Sequence, residues 1–572
     1  MAPQQDRTDG GRWRERLVTL ALALTAALAW VVFLTLEGVA TPEVGAALLA
    51  RLETGAGLVA EGGRSARVHL APLPTLRFAG LRLRDSAGVA EFAAPEVEAR
   101  LRWAPLLIGR IEIAELTLRR PRLAFAAGDD AIAALARQGL LARLATAQRL
   151  IVEQGEARRR GGEAVEAVDL DLRWRGGGSP LALAAQATWR GERIDLAAWI
   201  ARPTAITTDG ESAARLQARA GVGEIAFEGL VGGDHGQSLS GRVIASGPSL
   251  RRLLDFARFE AALPDPGGAF ELRAQASSRG QSVSFSDVEL QLGPNRFEGS
   301  LSLRREDGRP SIAGTLATAA LDLGPWLDIA PRLVEANDRW SATPIDWRRE
   351  EQGNLDLRVS AQRVQAGRIA LGETALSLLM KRGRLSVAPA RAGLEVKGSL
   401  QWSELDIGAL LAALQKRPRL SGVATGQLVF ETSGAAPADL SAMLDGRAQL
   451  TLRNGEIARL DLEQALRRND RRGAALIAGV QTGRTGFDSL TTTLRATRGV
   501  ATLDEALMKG PGVTAHARGA LQLADQSLSV RVDAAQSGAL AQPLRMSFYL
   551  AGPWSGPRIL PEPDPPRPPP AR

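Results

Sequence analysis

Alternation of apolar and polar residues with a period of two runs through most of this 572-residue chain and limits its fold more than any other feature. In one clear run, Val97, Ala99 and Leu101 alternate with Glu98 and Arg100. Similar runs follow at Val168–Trp174, Leu181–Trp189, Ile194–Ile200, 213–230, 269–277, 281–292, 296–304, 311–319, 355–363 and 374–402. Such alternation is typical of half-buried strands with one wet face. The chain is therefore predicted to be mainly β, as a long meander of antiparallel strands.

A stretch of twenty residues without a charge, Leu17–Leu36, predicts one membrane-spanning helix. At about 1.5 Å per residue, a helix of this length covers ~30 Å, the thickness of the hydrocarbon core of a bilayer. Residues 37–50 contain no Lys or Arg, whereas four arginines precede the stretch, and this asymmetry predicts a cytoplasmic N-terminus. The arginines are Arg7, Arg12, Arg14 and Arg16.

The same stretch could also be a secretory signal peptide that is cleaved after Ala40. The apolar run is longer than the ~7–15 residues usual in such a peptide, which favours the anchor. Either interpretation places the remainder of the chain outside the cytoplasm.

The composition argues against several kinds of site. The chain has no cysteine, so disulfides, thiolate metal sites and cysteine nucleophiles are excluded. Its three histidines, His69, His235 and His516, lie far apart with no ligand spacing between them, so no metal or other cofactor is predicted. The net charge of +8 comes from scattered basic residues on a chain predicted to lie outside the cytoplasm, so no nucleic-acid partner is predicted.

Two segments depart from the strand pattern. Asp130–Leu150 carries leucines and an isoleucine at helical spacing, which predicts an amphipathic helix that caps the end of a sheet or lies on a membrane. Residues 552–572 contain nine prolines and are predicted to be extended or disordered.

Short sequences recur along the chain in the same order. FEGSLSL at 297–303 matches VKGSLQW at 396–402, with ARGALQL at 517–523 as a weaker copy. The first two are followed by LDLGPWL at 321–327 and LDIGALL at 405–411. Each unit is predicted to contain a strand, a turn, a strand that begins near glycine, and a short helical cap.

Six quoted segments and their order carry a resemblance to a known family. They are ETGAGLVAEGG (53–63), LPTLRFAGLRLRDS (73–86), WAPLLIGRIEIAELTLRRPRLAF (103–125), LDGRAQLTLRNGEIARLDLEQALRR (444–468), the stretch 485–532, and AGPWSGPRI (551–559). In this order the chain resembles the AsmA family of the Gram-negative envelope, closely at both ends and by repeat style over about 150–430. The resemblance implies an inner-membrane anchor and a periplasmic β-rich body, similar to the bridge-like lipid-transfer proteins, whose curved sheet forms an apolar groove.

Combining the pattern and the resemblance gives a predicted organisation. The fold class is mainly β, an elongated and repetitive antiparallel trough with a few capping helices, preceded by one transmembrane helix. The regions are a cytoplasmic N-terminus (1–16), the transmembrane helix (17–36), an AsmA-like N-terminal β region with the amphipathic helix (37–150), a repetitive groove region (151–430), an AsmA-like C-terminal β region (431–551) and the Pro-rich tail (552–572).

A trough of this kind would present alternate residues of each strand to lipid. The leucines predicted to line it are Leu170, Leu172, Leu181, Leu183, Leu290, Leu301, Leu303 and Leu400. The same alternation would also fit an ordinary sandwich or barrel core that binds nothing.

The predicted function is non-enzymatic, because the sequence contains no GxSxG, P-loop, GxGxxG or HExxH motif in its required context. We expect an inner-membrane protein with a periplasmic body that supports outer-membrane assembly by binding or conducting phospholipid or a related lipid. One alternative is a scaffold for outer-membrane proteins, with an outer-membrane or periplasmic protein as partner. Another is a periplasmic hydrolase, which predicts a polar pocket with converging titratable groups.

Overall fold

The structure is a computed structural model. It describes residues 39–40, 58–61, 66–69, 73–85, 90–108, 112–125, 147–159, 162–176, 178–206, 210–232, 238–257, 268–279, 282–306, 309–329, 334–335, 339–344, 354–367, 369–382, 394–414, 419–468, 483–538 and 544–561. The chain divides into two units, residues 1–241 and 242–572. The predicted transmembrane helix at 17–36 lies outside the described residues. Within them, no helix combines the length and the apolar character that crossing a membrane requires.

The described part of the first unit is mainly strands. They are β1 (Val39–Ala40), β2 (Leu58–Glu61), β3 (Ala66–His69), β4 (Thr75–Asp85), β5 (Ala90–Leu101), β6 (Ile113–Arg119), β7 (Arg122–Phe125), β8 (Arg149–Arg159), β9 (Ala164–Trp174), β10 (Leu181–Trp189), β11 (Glu192–Ile200), β12 (Glu211–Ala220) and β13 (Gly223–Gly232). Two short helices, α1 (Trp103–Leu107) and α2 (Pro203–Ile206), occur between strands. Strand β14 (Ser238–Gly247) includes the boundary between the units.

The second unit has the same character. Its strands are β15 (Phe270–Arg279), β16 (Ser282–Leu292), β17 (Asn295–Glu306), β18 (Arg309–Asp322), β19 (Asn354–Ala366), β20 (Ile369–Leu371), β21 (Thr374–Arg382), β22 (Leu394–Asp406), β23 (Leu420–Gly434), β24 (Asp445–Ala458), β25 (Arg484–Thr497), β26 (Val500–Lys509), β27 (Val513–Gln522), β28 (Ser527–Gln536), β29 (Arg545–Pro553) and β30 (Arg558–Pro561). Its helices are α3 (Leu250–Phe256), α4 (Gly324–Ile329), α5 (Ile407–Leu414), α6 (Pro437–Ala442) and α7 (Leu462–Arg468). The prediction of a mainly β chain is confirmed.

Most neighbouring strands pair antiparallel, as predicted, but the sheet is mixed. β18 pairs parallel with β19, and β8 pairs parallel with both β6 and β7. The prediction of a purely antiparallel sheet is wrong at these places. Parallel neighbours require a crossover connection of roughly a dozen residues or more. The connections 323–353 and 126–148 provide that length.

The predicted helix Asp130–Leu150 ends too late. Arg149 and Leu150 are the first residues of strand β8, while residues 130–146 lie outside the described part. Leu150 pairs with Leu116 and Leu172 and is 8% exposed. Its burial between two strands, which helical spacing does not reveal, determines its conformation.

Five strands contain an extra residue with a positive φ that keeps the apolar side chains on one face. These residues are Gln154, Ala167, Asp287, Glu404 and Asn454, with φ of 49 to 55°. In β22 the pairing moves from Trp402↔Gly426 to Leu405↔Ala424. The extra residue places Trp402 and Leu405 on the same face, although they are three positions apart. These irregularities are β-bulges, which interrupt strict alternation in the sequence without changing which face is apolar.

The predicted helical caps of the repeat are present as α4 and α5. Each follows a Leu-Asp pair at the end of a strand, and the aspartate caps the helix. Asp322 Oδ1 accepts a hydrogen bond from Gly324 N at 2.8 Å, and Asp406 Oδ1 accepts one from Ala409 N at 3.0 Å. A third pair, Leu460-Asp461, precedes α7, where Asp461 Oδ1 accepts from Gln464 N at 2.9 Å. Such caps satisfy backbone N–H groups that a helix end leaves free.

The start of the Pro-rich tail is part of the sheet, which corrects the prediction for residues 552–561. β29 continues to Pro553, and β30 pairs with it through Leu550↔Ile559. Ile559 is 5% exposed and belongs to the largest buried cluster of the second unit. Burial of this one isoleucine outweighs the local proline content, because Pro557 and Pro561 lie just before and at the end of the short strand.

We expect a chain that ends at residue 556 to be less stable than one that ends at 561, because only the first lacks β30. The substitution Ile559→Ala in the full chain should cost about 2 kcal/mol, the lower range for a large-to-small change in a core. Differential scanning calorimetry of the three variants and the full chain checks both statements. Equal melting temperatures for the two truncations would show that β30 does not belong to the core.

Candidate functional site

The strand registers of the first unit align apolar residues into one continuous row. Successive paired positions are Leu76, Ala99, Leu116, Leu150, Leu172, Leu183, Ala198, Leu216 and Phe227, on β4, β5, β6, β8, β9, β10, β11, β12 and β13. Burial decreases along this row. Leu76 is 2% exposed and Leu150 8%, whereas Leu172 and Leu183 are half-buried and Leu216 is 39% exposed. The apolar face is thus covered at the β4 end and open toward β12.

The structure brings four of the predicted lining residues together on this face. Leu172 pairs with Leu183, and both Leu170 and Leu181 lie two residues away on the same strands. All four are half-buried. They form part of an apolar surface that neighbouring strands extend on both sides.

A second row crosses the second unit. Its paired positions are Val288, Gly299, Leu316, Val359, Leu376, Leu400, Leu428, Ala448, Leu494, Leu503, Gly519, Val530, Leu550 and Ile559, from β16 to β30. Only glycine and apolar residues occur in it. Because paired residues point to the same side of a sheet, these positions share one face.

Both ends of this second row are covered. Near β16 and β18, Val288 and Leu316 are buried in a cluster against which Trp326 of α4 packs. Near β28 and β30, Val530 and Ile559 belong to a larger cluster with Leu462 and Leu466 of α7, and Leu410 and Leu411 of α5 pack against it. The helices that follow the Leu-Asp pairs therefore close the two ends of the apolar face.

The middle of the row is open. Leu376, Leu400, Leu428, Ala448 and Leu494 are half-buried, and within the described residues none of them belongs to a buried cluster or packs against one. We call these five residues, on β21 to β25, the open apolar row. It is the candidate site.

The predicted lining residues of the second unit differ in burial: some lie on the open face and one lies in the core. Leu400 lies in the open apolar row between Leu376 and Leu428. Leu301 and Leu303 lie on the same face and are half-buried. Leu290 is 7% exposed in the cluster beneath α4, so it is core and lines no open surface.

Sequence reasoning missed four of the five residues of the open apolar row. Leu376 lies within a predicted strand but was not singled out. The other three lie on strands β23 to β25, where a chain of threonines, 491–493, precedes Leu494 and weakens the alternation. Aligning successive strands by their register identifies these three residues. The register depends on which residues pair across strands, and the sequence alone does not specify that pairing.

Two aromatic side chains border the row. The Phe430 ring lies over Gly398, where an added Cβ would come within 2.7 Å of it, and Trp402 lies over Gly426 in the same way at 2.6 Å. Among the described residues, the buried indole N–H of Trp402 has no hydrogen-bond partner, and the same is true of Trp174 next to the open part of the first row. Both N–H groups are enclosed by protein atoms, and Trp402 also packs against the large buried cluster of the second unit.

The opposite face of the same strands is polar. Beside Leu400, Leu428 and Ala448 the next residues are Gln401, Gln427 and Gln449, which pair with one another, and Gln427 Nε2 donates to Gln449 Oε1 at 2.5 Å. A shallow depression of about 780 Å³ follows this face, lined also by Thr425, Thr451 and Thr493. The same face also carries an ion pair between Lys397 Nζ and Glu431 Oε1 at 2.7 Å, so the sheet separates an apolar side from a mostly polar side.

The polar face of the first unit carries a continuous chain of ion pairs across five strands. Its members in order are Arg77, Glu98, Arg100, Glu115, Arg149, Asp171 and Arg173, with closest N···O distances of 3.3, 3.7, 2.9, 3.2, 2.8 and 2.7 Å. It crosses the parallel β6–β8 junction through Glu115 and Arg149. Hydrogen bonds from Arg149 and then Arg173 hold the pKa of Asp171 far below its ordinary value.

The described residues offer little catalytic chemistry. No group of three or more His, Asp or Glu among them is placed to hold a metal ion. A second carboxylate with a lowered pKa, Asp533, owes the shift mainly to a hydrogen bond from Ser547 Oγ at 2.6 Å, and is half-buried on β28. Two concave surfaces are the polar depression of the second unit and one of about 620 Å³ over Asp169, Asp171, Gln186 and Asp195 in the first.

Comparison with known families matches residues 333–506 to the AsmA family. Residues 333–506 are similar to that family. The predicted resemblance is confirmed there, over less than a third of the chain, and the segment contains all five residues of the open apolar row. The N-terminal segments that also carried the resemblance lie outside the match. No curated protein and no solved structure matches the chain.

We expect Asp171→Asn to destabilise the first unit by on the order of 1 kcal/mol at neutral pH, since the pairs are partly exposed and screened by solvent. Because the folded-state pKa of Asp171 is depressed, its contribution is fully present above the unfolded value near 3.8 and decreases as the pH falls below it. Urea unfolding at pH 7 and at about pH 3 should therefore show a smaller difference between the two proteins at the lower pH. Asp169→Asn, two residues away in β9, is the control; an equal effect from both would contradict a specific role of the ion-pair chain.

Proposed function

We propose that this chain is a non-enzymatic protein of the Gram-negative cell envelope that binds phospholipid or a related lipid on its open apolar surfaces. In this proposal residues 17–36 anchor it in the inner membrane, the body lies in the periplasm, and lipid binding or conduction supports outer-membrane assembly. The AsmA family segment suggests an envelope-associated function. The step from that general role to lipid rests on the apolar face.

The observation that carries the proposal is the open apolar row. Five paired strands at ~4.8 Å spacing give a row of about 19 Å, and one leaflet of a bilayer core is about 15 Å thick. One acyl chain could therefore lie across β21 to β25. None of these half-buried side chains packs against a buried cluster of the described residues, so an apolar ligand that covers them lowers the free energy by roughly 25 cal/mol per Å² of apolar surface removed from water.

The chemistry around the row fits an amphipathic ligand. The rings of Trp402 and Phe430 border the row and add aromatic surface that an acyl chain could contact. The polar face with its glutamines would remain in water. A catalytic role would instead require converging titratable groups, and none line the open apolar row.

A crosslinking experiment with a matched pair on strand β23 tests the proposal. We expect p-benzoylphenylalanine at Leu428 in the full chain to crosslink to phospholipid in cells. The same amino acid at Val429 should give at least several-fold less lipid adduct, because Val429 is 58% exposed but points to the opposite face. Mass spectrometry of the purified adducts measures both.

The control residue is apolar and more exposed than Leu428, so its adducts measure non-specific contact with lipid. Equal lipid adducts at both positions, or none at either, would contradict a lipid site on the apolar face. Protein adducts at Leu428 in place of lipid would favour the scaffold for outer-membrane proteins, with a periplasmic or outer-membrane protein as its partner.

A further inference from the structure

Three exposed apolar side chains lie together at one edge of the first unit. Leu73 is 51% exposed, Trp103 43% and Ile108 70%. Among the described residues before Trp199, these three are the large apolar residues whose side chains are exposed and not buried or half-buried. We call these three residues the apolar tip.

The strand ends explain why the three residues are neighbours. Leu73 precedes β4, while Trp103 and Ile108 lie in the turn between β5 and β6. Thr75, at the start of β4, pairs with Arg100, near the end of β5, so both turns lie at the same end of these two strands. A hydrogen bond from Leu101 N to Pro74 O, at 2.8 Å, joins the two turns.

The base of the second turn is well fixed. Arg102 N donates to Glu112 O at 3.0 Å, and the Arg102 guanidinium forms an ion pair with the Glu112 carboxylate, also at 3.0 Å. Pro105 is buried within α1. These contacts fix the turn and so keep Trp103 and Ile108 exposed. Exposing their apolar surface to water costs free energy.

The register of β1 shows that the chain enters this strand at the end of the sheet that carries the apolar tip. Val39 pairs with Val68 and Ala40 with Arg67, antiparallel, so the N-terminal end of β1 is the end next to His69. His69 pairs with Thr75 at the edge that carries the apolar tip. The predicted membrane span ends at Leu36, three residues before β1, and three residues reach at most ~10 Å.

Resting on the inner-membrane anchor of the proposed function, we propose that the apolar tip inserts into the interfacial region of the bilayer that residues 17–36 would span. The placement of the tip beside the chain's entry from the predicted span favours a lipid surface as its occupant. Tryptophan with an apolar body and a polar N–H prefers the membrane–water interface, and isoleucine and leucine beside it add apolar area. The tip is separate from the open apolar row, so it fixes the orientation of the first unit on the membrane independently of lipid binding there.

Site-specific fluorescence on the full chain tests this proposal, because the natural sequence contains no cysteine and one introduced cysteine labels uniquely. Ile108→Cys carries the dye NBD in nanodiscs of phosphatidylethanolamine and phosphatidylglycerol. Doxyl-labelled phospholipid in the disc should quench its emission by about half, since shallow insertion brings dye and quencher together. Arg193→Cys is the control and should show no quenching. Arg193 lies on β11, far from the tip in sequence, and its side chain is 70% exposed.

Leu73→Cys provides a second labelled position on the other turn and should respond as Ile108→Cys does. Quenching at both tip positions with none at Arg193 supports the proposal. An emission maximum that is the same in detergent and nanodisc, without quenching, would overturn it. A blue-shifted emission in both media without quenching would also overturn it, because protein would then cover the tip.

Discussion

Backbone pairing between neighbouring strands is the constraint on which the rest of this structure depends. Pairing satisfies the backbone N–H and C=O groups, and it also forces residues at paired positions onto the same face. Fourteen successive positions in the second unit, from Val288 to Ile559, are all apolar or glycine for this reason. A slip of one residue in a single strand would move its leucine to the wet face. The bulges at Asp287, Glu404 and Asn454 protect this alignment, since each adds one residue where the alternation in the sequence changes phase.

Short helices then decide which part of an apolar face becomes core and which part stays available. α4 covers one end of the second row through Trp326, and α5 and α7 cover the other through leucines. Each is preceded by an aspartate that accepts a hydrogen bond from the backbone of the helix start: Asp322 and Asp406 end a strand, and Asp461 follows β24 by three residues. Between them, the five side chains of the open apolar row pack against no buried cluster of the described residues, and this surface lies within 333–506, the segment that matches the AsmA family. The proposed groove therefore has closed ends in this unit, which suits holding a lipid segment at β21 to β25.

The opposite faces separate the two units chemically. In the first unit, Arg149 and Asp171 belong to a chain of ion pairs that crosses five strands, including the parallel junction where ladder bonds are slightly weaker. In the second, the opposite face of β22 to β24 carries the Gln427–Gln449 hydrogen bond and a separate ion pair between Lys397 and Glu431. Both arrangements keep one side of the sheet hydrated, so an amphipathic ligand has a single apolar side to which it can bind. The apolar tip at Trp103 adds a third surface, on the edge of the first unit beside the predicted membrane span.

The sequence by itself determined the mainly β class, the positions of most strands, the helical caps after Leu321-Asp322 and Leu405-Asp406, and the family of residues 333–506, because period-two alternation and capping chemistry are local. It also placed Leu170, Leu172 and Leu400 on apolar faces. Only the tertiary structure decided that Leu290 is covered while Leu400 is open, that β8 and β19 pair parallel with their neighbours, and that Ile559 makes the start of a proline-rich tail part of the core. These outcomes depend on contacts between residues far apart in the chain, and the pattern around any one residue does not contain them.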